Sequence, residues 1–210
     1  MTAPVRAAWL VAPVLAAGLV HVIVLKSGVL SRLATPLDGG RTLGGRRLLG
    51  PSKTWRGLLL MPPLTALAAS LEAALARRLP RGLTPFPGRR LKPWLLGGVL
   101  GLGYCAGELP NSFVKRRLGI PAGGSVKRLS WLQYTIDQTD SVVGCLVALR
   151  LVYRPRRIEL LLAAGLGTGA HIAVDRLMSS IGLRPGSGQN PSQVAASRLA
   201  TGGSGRLSRP

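Results

Sequence analysis

Two aspartates, Asp137 and Asp140, stand at the start of an apolar run in a chain with 28 lysines and arginines but only seven acids. Residues three apart lie on one helix face, where two like charges repel each other unless a cation lies between them. A third carboxylate, Glu108, ends another apolar run. Oxygen ligands without a neighbouring histidine or cysteine favour Mg²⁺ over zinc. The same spacing also suits a solvated helix end, at which the aspartates pair with Lys115 or Arg116.

A second group of polar residues lies in the segment GELPNSFVKRR, residues 107–117. Ser112 and Lys115 are three residues apart and can share a helical face with their neighbours. Amide, hydroxyl, ammonium and guanidinium groups together can bind a phosphate. A KRR run is equally typical of an anchor to anionic lipid head groups. This segment therefore predicts a phosphate site or a membrane anchor.

A third candidate is the glycine-rich stretch LDGGRTLGGRRLLGPSKTWRG, residues 37–57. Glycines let backbone N–H groups approach an anion, and Lys53 and Arg56 can supply positive charge. Asp38 is the only acid in the stretch. The spacing GxxxxGK[ST] of nucleotide-binding P-loops is absent. The alternative interpretation is a flexible linker that touches the membrane.

These segments must be positioned by the apolar runs between them. A membrane span needs about 20 mostly apolar residues, and candidate runs cover residues 7–25, 57–76, 93–106, 131–152 and 158–177. The pattern predicts an all-α integral membrane protein with about five transmembrane helices and Gly/Arg-rich loops. Residues 1–183 are expected to form the membrane domain, and the Gly/Ser/Pro-rich tail, residues 184–210, to be disordered.

The net charge of +21 does not indicate nucleic-acid binding, because the apolar residues come in long blocks with the charge confined between them. Five spans place the loops 26–56 and 109–130 and the tail on one side, which carries the larger share of basic residues. The positive-inside rule then predicts an outside N-terminus and cytoplasmic loops. His21 and His171 are interpreted as helix-facing residues within spans.

Taken in order, the motifs resemble the CDP-archaeol synthase family, small relatives of the bacterial CDP-diacylglycerol synthases. The residues that carry the resemblance are LGPSKTWRG at 49–57, GEL with SxxKRR at 107–117, and DQTD at 137–140. The resemblance runs from about Asp38 to Leu183. It implies a cell-membrane enzyme that transfers CMP from CTP to a phosphorylated lipid, phosphatidate-like or archaeol-phosphate-like. Pyrophosphate is released, and Mg²⁺ is the expected cofactor.

The resemblance also implies roles for individual residues. Asp137, Asp140 and Glu108 would hold Mg²⁺, and Lys53 and Lys115 would complete the catalytic set. The implied substrate-binding residues are Asp38, Arg46, Arg47, Thr54, Arg56, Asn111, Ser112, Arg116 and Arg117.

Two departures from the family pattern are Glu108, where the family generally has Asp, and Asp175, which replaces an Asn four residues after His171. The alternative function is a catalytically inactive membrane paralogue that binds anionic lipid or nucleotide. A transporter is disfavoured because no internal repeat is evident. No feature of the sequence specifies an oligomeric state or the chains of the lipid.

Overall fold

A computed structural model describes residues 2–78, 92–122, 124 and 130–182. Five long helices make up most of this part of the chain: α1 (Ala3–Ser27), α2 (Trp55–Ala76), α3 (Pro93–Arg117), α4 (Ser130–Val152) and α5 (Arg157–Ser180). The mostly helical fold predicted from the apolar runs is confirmed. The predicted disordered tail from residue 184 lies outside the described residues.

Three of the five helices are long and apolar enough to cross a membrane, namely α1, α2 and α5, with mean hydropathies of 2.3, 1.6 and 1.3 over their most apolar windows. The helices α3 and α4 have 25 and 23 residues, which at about 1.5 Å per residue also exceeds a hydrocarbon core of about 30 Å. Their polar ends carry the candidate site. The number of five spans stays a prediction.

The third helix is longer than the apolar run predicts, because α3 continues through the polar segment as far as Arg117. Pro110 lies inside the helix and has no N–H to donate to the carbonyl of Ala106. The predicted loop 109–130 therefore begins as helix. The candidate phosphate ligands in this segment are consequently held on a rigid element.

Glycines allow α3 to pack closely against both neighbouring helices. A Cβ atom at Gly97 would lie 2.3 Å from the carbonyl oxygen of Thr65 on α2, and one at Gly144 on α4 would lie 2.1 Å from the carbonyl oxygen of Gly103. Small residues permit such backbone approach between membrane helices, where apolar burial alone gives little driving force. The α3–α4 contact fixes the relation between the two helices that carry the candidate acids.

At the end of the bundle where α1 and α5 begin, Glu159 links these two helices. Its side chain is 2% exposed, its Oε1 lies 3.4 Å from Nη1 of Arg6, and its Oε2 accepts a hydrogen bond from the backbone N–H of Arg156 at 3.0 Å. Between the two ends, an apolar core contains Leu96, Leu100, Cys145 and Leu149. The fifth helix packs mainly against α1 and α4, and it meets α3 through the rings of His171 and Tyr104.

The connection between α1 and α2 contains a short β-hairpin, which the all-α prediction missed. Strand β1 (Thr42–Leu43) pairs antiparallel with β2 (Arg46–Arg47). Gly44 and Gly45, with φ of +57° and +72°, supply the positive φ values that a two-residue type I′ turn requires. The double glycine therefore turns the chain here.

Candidate active site

Asp38 is buried in the glycine-rich loop and is hydrogen-bonded to several residues of that loop. Its fully buried carboxylate pairs with the Arg47 guanidinium and accepts backbone N–H bonds from Gly40, Leu49 and Gly50 at 3.1, 3.0 and 2.9 Å. The Arg47 guanidinium, followed by these N–H groups, holds the pKa of Asp38 well below its usual range in spite of burial. The carboxylate is thus engaged by groups of its own loop.

Arg117, the last residue of α3, is hydrogen-bonded to the hairpin. Its guanidinium donates to the backbone carbonyl of Leu43 and, at 2.8 and 2.6 Å, to those of Arg46 and Arg47. The ring of Phe113 lies beneath it, 5.2 Å from Cζ. Arg46 donates in return to the carbonyl of Arg117. Of the predicted substrate ligands, Arg46, Arg47 and Arg117 therefore hold the loop in place.

Lys53 extends from the loop towards the middle of α3 and forms an ion pair with Glu108. Each side chain is 21% exposed. Burial lowers the pKa of Lys53, but the carboxylates of Glu108, Asp140 and Asp137 together raise it above its ordinary value. Lys53 therefore carries a positive charge at neutral pH.

The two aspartates of α4 converge on one side chain of α3. Nδ2 of Asn111 donates to Oδ1 of Asp137 and to Oδ2 of Asp140, each at 2.7 Å. Nζ of Lys115 lies 2.6 Å from the other oxygen of Asp137. The predicted common face of the aspartates is present, and so is the salt bridge of the alternative interpretation.

The carboxylates supply the donor set for a hard cation. Within residues 2–78, 92–122, 124 and 130–182, no three His, Cys, Asp or Glu side chains form a ready metal cluster, and Glu108 points to Lys53 instead. Asp137 and Asp140 nevertheless each place one carboxylate oxygen 2.7 Å from Nδ2 of Asn111. Two anionic oxygens of this kind fit Mg²⁺.

The beginning of α2 adds further cationic groups. Thr54 is the N-cap of α2, with its Oγ1 accepting a hydrogen bond from the N–H of Gly57 at 3.5 Å. Arg56, in the first turn, donates to the carbonyl of Val29 at 3.5 Å. Arg116 lies over Gly50, to whose Cβ position its Cδ would come within 3.4 Å. Within the described residues, the buried Nε atoms of both arginines have no hydrogen-bond partner.

The structure also brings polar residues to the site that the sequence interpretation missed. Oγ of Ser141 lies 3.2 Å from Nδ1 of His171 on α5, and the ring of Tyr104 is centred 6.1 Å from that of His171. Gln138 is 4% exposed, with no partner for its Oε1 in the described part of the chain. Ser141 follows Asp137 by four residues, and this helical spacing could have placed it on the same face of α4.

Most predicted site residues thus meet at one end of the bundle, where α3 ends and α2 and α4 begin; this end is called the site end below. Lys53, Glu108, Asn111, Ser112, Lys115, Arg116, Asp137 and Asp140 lie there with Arg56 and Thr54 close by. Ser112 is buried, at 7% exposure. Fold and site together define an integral membrane protein with a carboxylate pair and several cationic side chains at one end of its bundle, a combination suited to phosphorylated ligands.

Comparison with known proteins identifies the family. The model of the CarS-like CDP-archaeol synthase family matches residues 5–183, and the chain belongs to this family. A CDP-archaeol synthase of Halobacterium salinarum is 39% identical over 124 residues, which are 57% of this chain and 61% of the relative. One of Methanopyrus kandleri is 36% identical over 121 residues, 56% of this chain and 58% of the relative. The resemblance drawn from the motifs is confirmed.

A solved structure supports the same relationship. It is described as an intramembrane enzyme for archaeal membrane lipids biosynthesis, is 28% identical, and superposes with a TM-score of 0.57. The match covers 81% of this chain and 92% of that chain. The aligned regions of the two curated relatives are shorter and span about three fifths of their length.

Proposed function

We propose that this protein is a membrane cytidylyltransferase that transfers CMP from CTP to a phosphorylated lipid, archaeol-phosphate-like or phosphatidate-like, and releases pyrophosphate. Membership of the CarS-like family and the names of the relatives support this activity. The observation that carries the proposal is the convergence of Asp137 and Asp140 on Asn111, beside Lys115 and facing the Lys53–Glu108 pair.

In the proposed reaction, an oxygen of the lipid phosphate attacks the α-phosphorus of CTP. A new P–O bond forms there, the bond to the bridging oxygen of the β-phosphate breaks, and pyrophosphate leaves with the electron pair. The lipid phosphate is already ionised, so no strong general base is required. Catalysis consists mainly of positioning and charge neutralisation, which Lys53, Lys115, Arg56 and Arg116 are placed to provide.

Asp137 and Asp140 are the residues proposed to hold Mg²⁺. When bound, the ion would neutralise charge on the phosphate oxygens of CTP. Asn111 donates to both carboxylates and so keeps them on the face that points to α3. The paired position of Glu108 favours a role in orienting Lys53 over direct contact with the ion.

The glycine-rich loop is proposed to cover the nucleotide. Asp38, Arg47 and Arg117 fix its shape through internal bonds, which leaves Lys53 and Arg56 at its end to contact phosphates. The site end would face the cytoplasm, where CTP is available, with the N-terminus outside as the distribution of basic residues predicts.

The test is incubation of the purified protein in lipid nanodiscs with CTP, Mg²⁺ and phosphorylated lipids of isoprenoid and acyl type. Formation of a CDP-lipid, detected by mass spectrometry together with stoichiometric pyrophosphate, is expected with at least one lipid. ATP, GTP and UTP serve as nucleotide controls. A folded protein that binds CTP but forms no CDP-lipid with any member of the panel would instead be the inactive paralogue.

A further inference from the structure

An apolar cleft lies beside the site, inside the helix bundle. It is lined by residues of α1, α3, α4 and α5. Its walls are almost wholly aliphatic, with Leu10, Val14, Leu146 and Leu149 among them.

We propose that this cleft binds one hydrocarbon chain of the phosphorylated lipid, and that His171, held by its hydrogen bond to Ser141, contacts the oxygen atoms that link the chain to the glycerol. The assignment rests on the proposed function, because it names the position of the second substrate. The shared chemistry of the occupant is a long hydrocarbon chain, straight or methyl-branched.

The polar end of the cleft adjoins the proposed catalytic residues. Tyr104 and His171 both line it; Tyr104 is one helical turn before Glu108, and His171 is hydrogen-bonded to Ser141, the residue after Asp140. A lipid phosphate at Lys53 and Lys115 would thus have its glycerol beside His171. Hydroxyl and imidazole groups at this depth match the ether or ester oxygens of a lipid, while the aliphatic walls match its chain.

The length of the cleft matches a chain in one leaflet. On α5 the lining residues run from Ala163 to Val174, which at about 1.5 Å per residue spans roughly 16 Å. Half of a hydrocarbon core of about 30 Å is nearly the same distance. A chain whose head group lies at the site end would therefore fill the cleft over the depth of its own leaflet.

Gly18 keeps the cleft open from the side of α1. It lines the cleft, and a Cβ atom added there would meet nothing within 4 Å. Gly18→Leu therefore places a side chain in the cleft without a backbone clash. Gly165 on α5 is the matched control, since it also has open space at its Cβ position but is exposed and does not line the cleft.

The experiment compares long-chain and short-chain lipid phosphates as substrates of the full-length protein in nanodiscs. Gly18→Leu should raise KM about tenfold for the long-chain lipid, straight or branched, because the cleft loses space for several methylenes. It should leave KM for the short-chain analogue and for CTP unchanged, and Gly165→Leu should change none of them. His171→Ala should raise KM for both lipids but not for CTP. Equal effects of Gly18→Leu and Gly165→Leu, or of Gly18→Leu on both chain lengths, would overturn the assignment.

A second readout does not depend on turnover. A lipid phosphate with a photoreactive diazirine near the middle of one chain is irradiated with the protein, and the labelled residues are mapped. Labels on the cleft walls of α4 and α5 support the cleft even if no CMP transfer is found, a result that would refute the proposed function alone. Labels only on outward faces, in a protein that does transfer CMP, would refute the cleft alone.

Discussion

Lys53 and Glu108, which are 55 residues apart in the sequence, form an ion pair that joins the glycine-rich loop to the middle of α3. The pair places a cation from a loop against a helix that also carries Asn111 and Lys115. It therefore couples the shape of the loop to the position of the carboxylates on α4. Substitutions of Lys53 and of Glu108 are therefore expected to affect the rate of CMP transfer differently.

Replacement of the lysine removes a phosphate contact. Lys53→Ala is expected to lower CMP transfer about 10–100-fold, because one charge-assisted contact contributes roughly 1.5–3 kcal/mol. Initial rates at saturating and subsaturating CTP measure the effect. Arg41→Ala is the control, since Arg41 is exposed in the same loop and should leave the rate unchanged. An unaltered rate in Lys53→Ala would remove this residue from the site.

Replacement of the glutamate tests whether it orients Lys53 or binds the metal. Glu108→Gln keeps the shape but weakens the ion pair, so the rate should fall less than in Lys53→Ala, by about tenfold or less for one weakened charge-assisted contact. The Mg²⁺ concentration for half-maximal rate should stay the same. The measurement is a titration of the rate with Mg²⁺. A large rise in the Mg²⁺ concentration for half-maximal rate would show that Glu108 is a metal ligand.

The buried Asp38 predicts a pH-dependent contribution to stability. Its pKa in the folded protein lies below the unfolded value of about 3.9, so its stabilising effect is fully present above that value and is lost as pH falls towards the folded pKa. Asp38→Asn should therefore melt several degrees below the wild type at pH 7, and the gap should narrow below about pH 4. Thermal unfolding in detergent measures both. A gap independent of pH would contradict the assigned ionisation.

Two adjacent glycines of α3 give a matched test of helix packing. A Cβ at Gly97 would lie 2.3 Å from the carbonyl oxygen of Thr65, whereas one at Gly98 would meet nothing within 4 Å. Gly97→Ala should lower the melting temperature strongly or prevent folding. Gly98→Ala should be neutral or stabilising by up to about 1 kcal/mol, since alanine is the better helix former. Similar melting temperatures for the two variants would contradict the close approach of α2 and α3.

The sequence predicted the five helices because long apolar runs separated by basic loops have few other solutions. It assigned residues 109–130 to a loop because the third apolar run ends at residue 106, although the spacing of Ser112 and Lys115 already allowed a helical face there. The β-hairpin was missed because Gly44 and Gly45 were interpreted as anion contacts.

For the candidate site, spacing alone predicted that Asp137 and Asp140 share one helix face. In the structure both accept a hydrogen bond from Asn111. The position of Asp38 depends on hydrogen bonds within an irregular loop, and that of His171 on a contact between two helices. Periodicity carries no information about such contacts: Asp38 bonds to the backbone of its own loop, and His171 meets Ser141 from another helix.

The carboxylate pair is tested most directly by CTP-dependent pyrophosphate release from the wild type, Asp137→Asn and Asp140→Asn across a range of Mg²⁺ concentrations. An amide keeps the shape but offers a neutral carbonyl, which is a poor ligand for a hard cation. Melting temperatures in the same detergent identify any variant that fails to fold. We expect turnover by the wild type and almost none by either folded amide variant, with at best partial rescue by added Mg²⁺. Wild-type turnover in either variant would contradict the carboxylate pair as the centre of the site.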